Sequence, residues 1–271
     1  MLPRMTLSHD IAGTGPVLVL VHGVVHRRQA WNSVLDLLTP YRTVVTVDLP
    51  GHGETAALAH SDQGISAALF DELQAFVESV ARPGTRANIA GNSLGGYLAL
   101  GLAARGVVAS ATALSPAGFW NSPTDQARSM MTFKTLRLLA RGMGSHAPAA
   151  LRYKAIRYPA LSAFFAHPSR ISYESAVVDT ASLTTNAMLD TDLTDQFSFP
   201  PLSNPPVPVT VAWGSRDLVL PVYQRRNVAG VFPHARIIKV PGVGHVPMTD
   251  NPELIASILL AGSEQASERS H

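Results

Sequence analysis

The segment at residues 91–96 (Gly-Asn-Ser-Leu-Gly-Gly) constrains the fold of this chain more than any other. A short apolar stretch (residues 87–90) enters it and an Ala/Leu-rich helical pattern (residues 97–104) leaves it, which predicts a strand, a sharp turn and a helix. The flanking glycines allow strained backbone angles and a close approach of two chain segments. Ser93 would stand at the apex, outside the sheet, with the N–H of Leu94 pointing to where negative charge could develop. The alternative is a serine that only caps the helix.

The rest of the chain alternates between strand and helix patterns. Strands are predicted at residues 17–21, 42–47, 86–90, 107–114, 207–213 and 235–240. Helices are predicted at residues 30–38, 65–80, 94–104, 222–229 and 252–260. This rhythm predicts an α/β fold with a mostly parallel, doubly wound sheet. In such sheets, functional sites lie at the carboxyl ends of the strands.

Residues 119–206 interrupt the alternation. They read as several helices with no strand between them, and they end in a proline-rich stretch typical of a stiff linker. We therefore expect a core formed by residues 1–118 and 207–262, with residues 119–206 as a helical cap insertion above the sheet. Residues 263–271 have the composition of a flexible tail.

Composition narrows the possible classes of protein. The 271 residues carry a net charge of +2 and contain no basic run with interleaved aromatics, which argues against nucleic-acid binding. No apolar run is long enough to span a membrane, and the N-terminus lacks the pattern of a secretory signal. The absence of cysteine excludes disulfides and fits a reducing compartment, so we expect a cytoplasmic location. The sequence gives no indication of the oligomeric state.

Two further strand ends carry residues that could act together with Ser93. Asp217 follows the strand that ends at residue 213, and His245 follows the strand that ends at residue 240. A serine hydroxyl is a weak nucleophile until a neutral imidazole removes its proton, and a carboxylate must orient that imidazole. The three residues together therefore predict a catalytic triad. Taken singly, Asp217 could pair with a neighbouring arginine, and His245 could be a structural loop residue.

The first core strand ends in residues 21–24 (Val-His-Gly-Val). A glycine at this point allows the backbone to turn, so the N–H of Val24 is predicted to be the second donor of an oxyanion hole, beside that of Leu94. We expect His22 to hold this loop by hydrogen bonds rather than to transfer protons.

The chain resembles the α/β-hydrolase superfamily over nearly its whole length. The motifs that carry the resemblance lie at residues 22–23 (His-Gly), 48–53 (Asp-Leu-Pro-Gly-His-Gly), 91–96, 214–217 (Gly-Ser-Arg-Asp) and 244–245 (Gly-His). The chain order of serine, aspartate and histidine is the order of that superfamily's triad. The resemblance implies a Ser–His–Asp hydrolase with a helical cap, in which His52 and Glu54 belong to the scaffold. A serine at the turn argues against the dehalogenases and epoxide hydrolases, which carry aspartate there.

We therefore expect a serine hydrolase that cleaves the carboxylic ester of a small, largely apolar substrate through an acyl-enzyme, without a cofactor. The ten histidines show no metal-ligand spacing, and we expect no metal site. The same triad would also serve carbon–carbon bond, thioester or lactone hydrolysis, perhydrolysis or acyl transfer. A hydrolase-like protein that binds a ligand and turns it over slowly is a second alternative.

Substrate selectivity is expected to lie in the cap. Apolar side chains there that could contact a substrate are Phe119, Trp120, Met130, Phe133 and Phe164. In residues 131–143 the apolar positions cover more than half of a helical circumference, which predicts burial on two sides.

Charge in the cap is segregated. Residues 126–173 contain eight basic residues and no acidic one, whereas residues 174–195 contain five acidic residues and no basic one. In the simpler interpretation the two halves face each other and neutralise. In the other, a basic mouth attracts an anionic substrate such as an acyl carrier or a carboxylate.

Overall fold

The computed structural model describes residues 5–58, 64–190, 199 and 205–264. In these residues seven strands form one sheet in the order β1-β3-β2-β4-β5-β6-β7, and every pair is parallel except β1 with β3. The strands are β1 (His9–Ala12), β2 (Val17–Val21), β3 (Thr43–Val47), β4 (Asn88–Asn92), β5 (Ala111–Leu114), β6 (Val209–Gly214) and β7 (Arg236–Val240). The α/β fold with a mostly parallel sheet is confirmed.

Helices cover both faces of the sheet and form the cap. The α-helices of the described residues are α1 (Asn32–Leu38), α2 (Ile65–Val80), α3 (Leu94–Ala104), α4 (Pro123–Met143), α5 (Ala147–Leu151), α6 (Lys154–Leu161), α7 (Tyr173–Thr185), α8 (Val228–Val231), α9 (Pro247–Asp250) and α10 (Pro252–Glu264). No helix in the described part of the chain has the length and apolar character needed to cross a membrane.

Most core elements follow the predicted pattern because strands β2 to β6 are almost wholly buried and consist mainly of apolar residues. Two differences stand out. The edge strand β1 is exposed along its whole length and was not predicted. The predicted helix at residues 222–229 is a 3-10 helix (Val222–Asn227) followed by the single turn α8.

The insertion is helical where it is described, from α4 to α7, as expected. Ser122 precedes helix α4, and its hydroxyl accepts a hydrogen bond from the N–H of Asp125 and so caps the helix. The carboxylate of Asp125 in turn accepts hydrogen bonds from Tyr223 and Gln224 of the core. This buried carboxylate fastens the start of the cap to the core.

The prediction that the apolar arc of α4 is buried on two sides is wrong. Met131, Leu138 and Leu139 are between 60 and 71 % exposed, whereas Arg137 is buried. The guanidinium of Arg137 donates to the backbone carbonyls of Thr184 and Asn186, at the end of α7. A cation at the carboxyl end of a helix is stabilised by the unpaired carbonyls there. These contacts offset part of the free-energy cost of burying the charge of Arg137.

The C-terminal helix also extends further than expected. Helix α10 runs to Glu264, and the hydroxyl of Ser263 is buried and accepts a hydrogen bond from Arg42. The first two residues of the predicted tail therefore belong to the helix. The remainder of that tail, and Pro200 and Pro201 of the predicted linker, lie outside the described residues.

Candidate active site

The turn between β4 and α3 places Ser93 at the carboxyl end of the central strand. Ser93 has φ +56°, a left-handed value that L-residues rarely adopt, and it lies directly before the first residue of α3. The neighbouring positions have no room for a side chain. A Cβ on Gly91 would lie 2.1 Å from the carbonyl oxygen of Gly95, and a Cβ on Gly95 would lie 2.2 Å from the carbonyl oxygen of Val21. The tight turn expected from the sequence is therefore formed.

Asp217 and His245 form a buried pair. The Nδ1 of His245 lies 2.8 Å from the Oδ2 of Asp217, and neither side chain is more than 3 % exposed. The Oδ1 of Asp217 accepts hydrogen bonds from the N–H groups of Val219 (2.9 Å) and Leu220 (2.7 Å). A carboxylate can only accept, so Nδ1 of His245 carries the proton and Nε2 is left as a base.

The loop that carries His245 is bound directly to the turn that carries Ser93. The side-chain amide of Asn92, the last residue of β4, donates to the backbone carbonyl of His245 (2.8 Å) and to that of Leu114 (3.0 Å). One side chain thus joins the ends of β4 and β5 to the histidine loop. This contact joins the backbone of the loop that carries His245 to the turn that carries Ser93.

The loop after β2 approaches Ser93 from the other side. A Cβ on Gly23 would lie 3.2 Å from the Cβ of Ser93, so the glycine permits a close approach. The Nε2 of His22 accepts from the N–H of Leu49 (3.0 Å), which leaves Nδ1 to donate to the carbonyl of Gly23 (2.8 Å). Burial lowers the pKa of His22 well below its usual value, so the ring is neutral. His22 holds this loop, as expected.

The carbonyl of Val24 in the same loop is held by the cap. The side-chain amide of Asn186, the residue after α7, donates to it and also lies 2.8 Å from the Nε2 of His52. The Nε2 of His52 lies 2.7 Å from the same Val24 carbonyl, and its Nδ1 lies 3.0 Å from the carbonyl of Pro50. Burial lowers the pKa of His52, which favours the neutral ring. His52 is therefore a scaffold residue.

A buried carboxylate binds the histidine loop to the cap. The carboxylate of Asp250 accepts hydrogen bonds from the N–H groups of Gly244 (2.7 Å), Ala166 (2.9 Å) and His167 (2.8 Å). The N–H of Val246 donates to the carbonyl of Phe164 at 3.0 Å. The segment between α6 and α7 is thus hydrogen-bonded to both sides of His245.

An apolar cavity of about 310 Å³ lies between helices α4 to α7 of the cap and the loop after β2, from which Val25 and His26 line it; Ser93, Asp217 and His245 are not among its lining residues. Its ionisable lining residues are His26 and Asp179, whose Nε2 and Oδ2 lie 4.0 Å apart. Burial raises the pKa of Asp179 to about 7, although the charge of Arg27 opposes this. Burial also lowers the pKa of His26 to about 3, and repulsion from His245 and His52 adds to the effect. The cavity therefore favours neutral, apolar groups.

The five apolar side chains predicted to contact substrate lie in different parts of the structure. Phe164 lines the cavity, and Phe133 packs behind it with the ring centroids 5.7 Å apart. Phe119 lies in the core rather than at the cavity, in an aromatic cluster with Trp213 and Phe232. Two others, Trp120 and Met130, are half-buried against the hydrophobic core.

Several residues that shape the site were not identified from the sequence, namely Asn92, Asn186, Asp250 and Asp179. Each acts through contacts with residues far away in the chain, so no local spacing signals them. Within the described ranges, no group of three or more histidines or acidic residues is arranged to hold a metal ion.

Comparison with known proteins gives consistent matches. Residues 18–258 match the alpha/beta hydrolase family. The chain is 27 % identical to a pimeloyl-[acyl-carrier protein] methyl ester esterase of Vibrio cholerae, covering 94 % of this chain and 97 % of that protein. It is 23 % identical to lipase 3 of a Moraxella species, covering 91 % of this chain and 77 % of the lipase. A thermophilic esterase from Thermogutta terrifontis shares the fold, with a TM-score of 0.67, 21 % identity and coverage of 96 and 93 %.

Proposed function

Because the chain belongs to the alpha/beta hydrolase family, we propose that it is a serine hydrolase that cleaves the carboxylic ester of a small, largely apolar substrate through an acyl-enzyme. The observation that carries this proposal is the buried Asp217–His245 pair, whose loop is bonded through Asn92 to the turn that presents Ser93. Nucleophile, base and orienting acid thus come from three strand ends that the fold binds together.

In the proposed reaction, Oγ of Ser93 attacks the ester carbonyl while Nε2 of His245 takes its proton. Asp217 keeps the proton of the resting imidazole on Nδ1 and stabilises the imidazolium that forms. The N–H groups of Leu94 and Val24 donate to the oxyanion. Leu94 is suited to this because it begins α3, and the first N–H groups of a helix have no partner within it.

Collapse of the tetrahedral intermediate releases the alcohol, which takes the proton from His245. The ester bond to Ser93 remains as the acyl-enzyme. Water then attacks this ester, His245 takes a proton from the water, and the carboxylic acid leaves as Oγ of Ser93 recovers its proton. No step requires a cofactor.

The cap supports an apolar substrate. The cavity is lined mainly by aliphatic and aromatic side chains such as Leu136, Leu161 and Phe165, and burial disfavours charge on its two ionisable residues. The relatives named as a methyl ester esterase and a lipase both act on esters by their names, which agrees with this class of bond.

The test is Ser93→Ala, measured with short p-nitrophenyl esters and with a fluorophosphonate probe. We expect loss of turnover and of labelling, with unchanged thermal unfolding. Ser115→Ala is a matched control, since Ser115 is also buried, has a positive φ and follows the neighbouring strand. It should keep its labelling. Turnover by Ser93→Ala at the wild-type rate would exclude the mechanism.

A further inference from the structure

The exposed apolar side chains are concentrated on the cap. Eight large apolar residues of the described chain are exposed, and five of them lie between residues 131 and 156. These five are Met131, Leu138, Leu139, Tyr153 and Ile156, which we call the cap face. A concentration of this kind is typical of an interaction surface, whereas single exposed apolar residues are common everywhere.

The five residues belong to helix α4 and to the start of helix α6. Met131 and Leu138 are two helical turns apart on α4 and point outward, opposite the buried Phe133. Leu139 and Ile156 line the same cavity from α4 and α6, and both are exposed, so they lie at its mouth. Leu139 and Ile156 of the cap face therefore border the opening of the apolar cavity, and Leu138 and Met131 continue along α4 from Leu139.

Positive charge borders the cap face. Lys134 lies on the turn between Met131 and Leu138, and Arg152 and Lys154 flank Tyr153. All three cations are exposed, and among the described residues none of them lies in an ion pair within 4 Å. The sequence holds no acidic residue from 126 to 173, so the two segments that carry the cap face contain basic but no acidic side chains.

We propose that the cap face docks on an anionic lipid surface. Apolar side chains that project from the centre, with cations along the border, match the division between the acyl and headgroup layers of such a surface. An acidic protein would be bound mainly through the cations, and its binding would not explain why the apolar side chains of Met131 and Leu138 are exposed. Docking in this orientation turns the mouth of the cavity toward the lipid, so an amphiphile could enter without crossing water.

The experiment measures binding to vesicles by flotation, without turnover, so its outcome is independent of whether Ser93 is the nucleophile. We expect the 271-residue protein to bind vesicles with about one quarter phosphatidylglycerol at least about tenfold more tightly than pure phosphatidylcholine vesicles. Salt should weaken this binding. The double variant Met131→Ser/Leu138→Ser should bind about tenfold more weakly. Lys134→Gln/Lys154→Gln should lose the preference for the anionic vesicles.

The matched control is Tyr41→Ser, because Tyr41 is 59 % exposed outside the cap. It should bind like the unchanged protein, and all variants should keep their thermal unfolding and their turnover of a short soluble ester. Equal binding to both vesicle types, or unchanged binding by the double serine variant, would overturn the proposal. So would a dimer in sedimentation that the double variant abolishes, because the occupant would then be a second copy. Capture of an acidic carrier protein that depends on the lysines alone would overturn it as well.

Discussion

The side-chain amide of Asn186 in the cap donates a hydrogen bond to the backbone carbonyl of Val24, in the loop beside Ser93. Asn186 is itself fixed, since its Oδ1 accepts from the N–H of Met188 at 2.8 Å and its side chain is buried. The end of α7, together with His52, whose Nε2 lies 2.7 Å from the same carbonyl, therefore holds the peptide between Val24 and Val25. The proposed second oxyanion donor, the N–H of Val24, belongs to the preceding peptide and is joined to this one through the Cα of Val24, so we expect a change at Asn186 to reach the proposed oxyanion hole.

Asn186→Ala removes this link and should lower kcat about tenfold, or about 1.4 kcal/mol of transition-state stabilisation, with KM nearly unchanged. A misdirected N–H affects the developing oxyanion more than the bound ester. Asn186→Asp should not restore kcat, because a carboxylate cannot donate to the carbonyl. Steady-state kinetics on a soluble ester measures both values.

The matched control is Asn227→Ala, since the amide of Asn227 also donates to a backbone carbonyl, that of Phe119, away from the site. We expect it to reduce stability and to leave kcat within about twofold. Equal losses of kcat in both variants would mean that Asn186 only stabilises the fold.

Local sequence patterns were sufficient for the core but not for this link. The buried parallel strand β2 is a continuous apolar run, and the turn at Ser93 is marked by its own glycines. The contact between Asn186 and Val24 joins residues 162 positions apart, and nothing near either residue indicates it. The edge strand β1 escaped prediction for a different reason: its residues are exposed and it is held by backbone pairing with β3.

Helix α4 shows a further limit. The apolar pattern of residues 131–143 correctly indicates a helix, but it does not indicate which side meets the core. Arg137 faces inward because the carbonyl groups at the end of α7 receive it, and Leu138 is left outside. The hydrogen bonds that offset the cost of burying Arg137 come from another helix, so the spacing of apolar residues along α4 does not indicate them.

Gly23→Ala should impair turnover more than folding. The added methyl would lie 3.2 Å from the Cβ of Ser93, a contact that requires a shift of a few tenths of an ångström. Displacement of Ser93, the proposed nucleophile, by that amount should lower kcat by roughly tenfold to a hundredfold. Urea unfolding should show a loss of no more than about 1 kcal/mol.

Gly142→Ala is the corresponding control, because a Cβ at Gly142 in α4 meets nothing within 4 Å. It should stabilise the protein by about 0.5–1 kcal/mol and leave kcat unchanged. If Gly23→Ala is fully active, the loop after β2 is not in contact with the reacting groups.

Asp217→Asn should reduce kcat/KM by about 10⁴-fold while the protein stays folded. The amide oxygen can still accept from Val219 and Leu220, so the loop is retained. The amide nitrogen would donate to Nδ1 of His245 and place the ring proton on Nε2, where it blocks attack by Ser93. Kinetics combined with a thermal melt separates this effect from unfolding. A loss of less than about tenfold would remove Asp217 from the triad.

Asp179→Asn should stabilise the protein in a pH-dependent way. Burial raises the pKa of Asp179 from 3.8 to about 7 in the folded state, so the folded protein resists ionisation that the unfolded chain undergoes readily. The stability that the neutral carboxyl provides is complete below about pH 4 and is lost as the pH rises toward 7. Each pH unit in this window is worth at most about 1.4 kcal/mol, and less here because the side chain is 24 % exposed.

The variant should therefore match the unchanged protein near pH 4 and exceed it by a few kcal/mol near pH 8, in urea unfolding at both values. Protonation of His26 also costs stability, but only as the pH falls below its unfolded value of 6.5, and it is common to both proteins. It cancels in the difference as long as the substitution leaves its surroundings unchanged. A stability difference that stays constant across the range would show that the substitution acts through packing in the cavity rather than through the charge of Asp179.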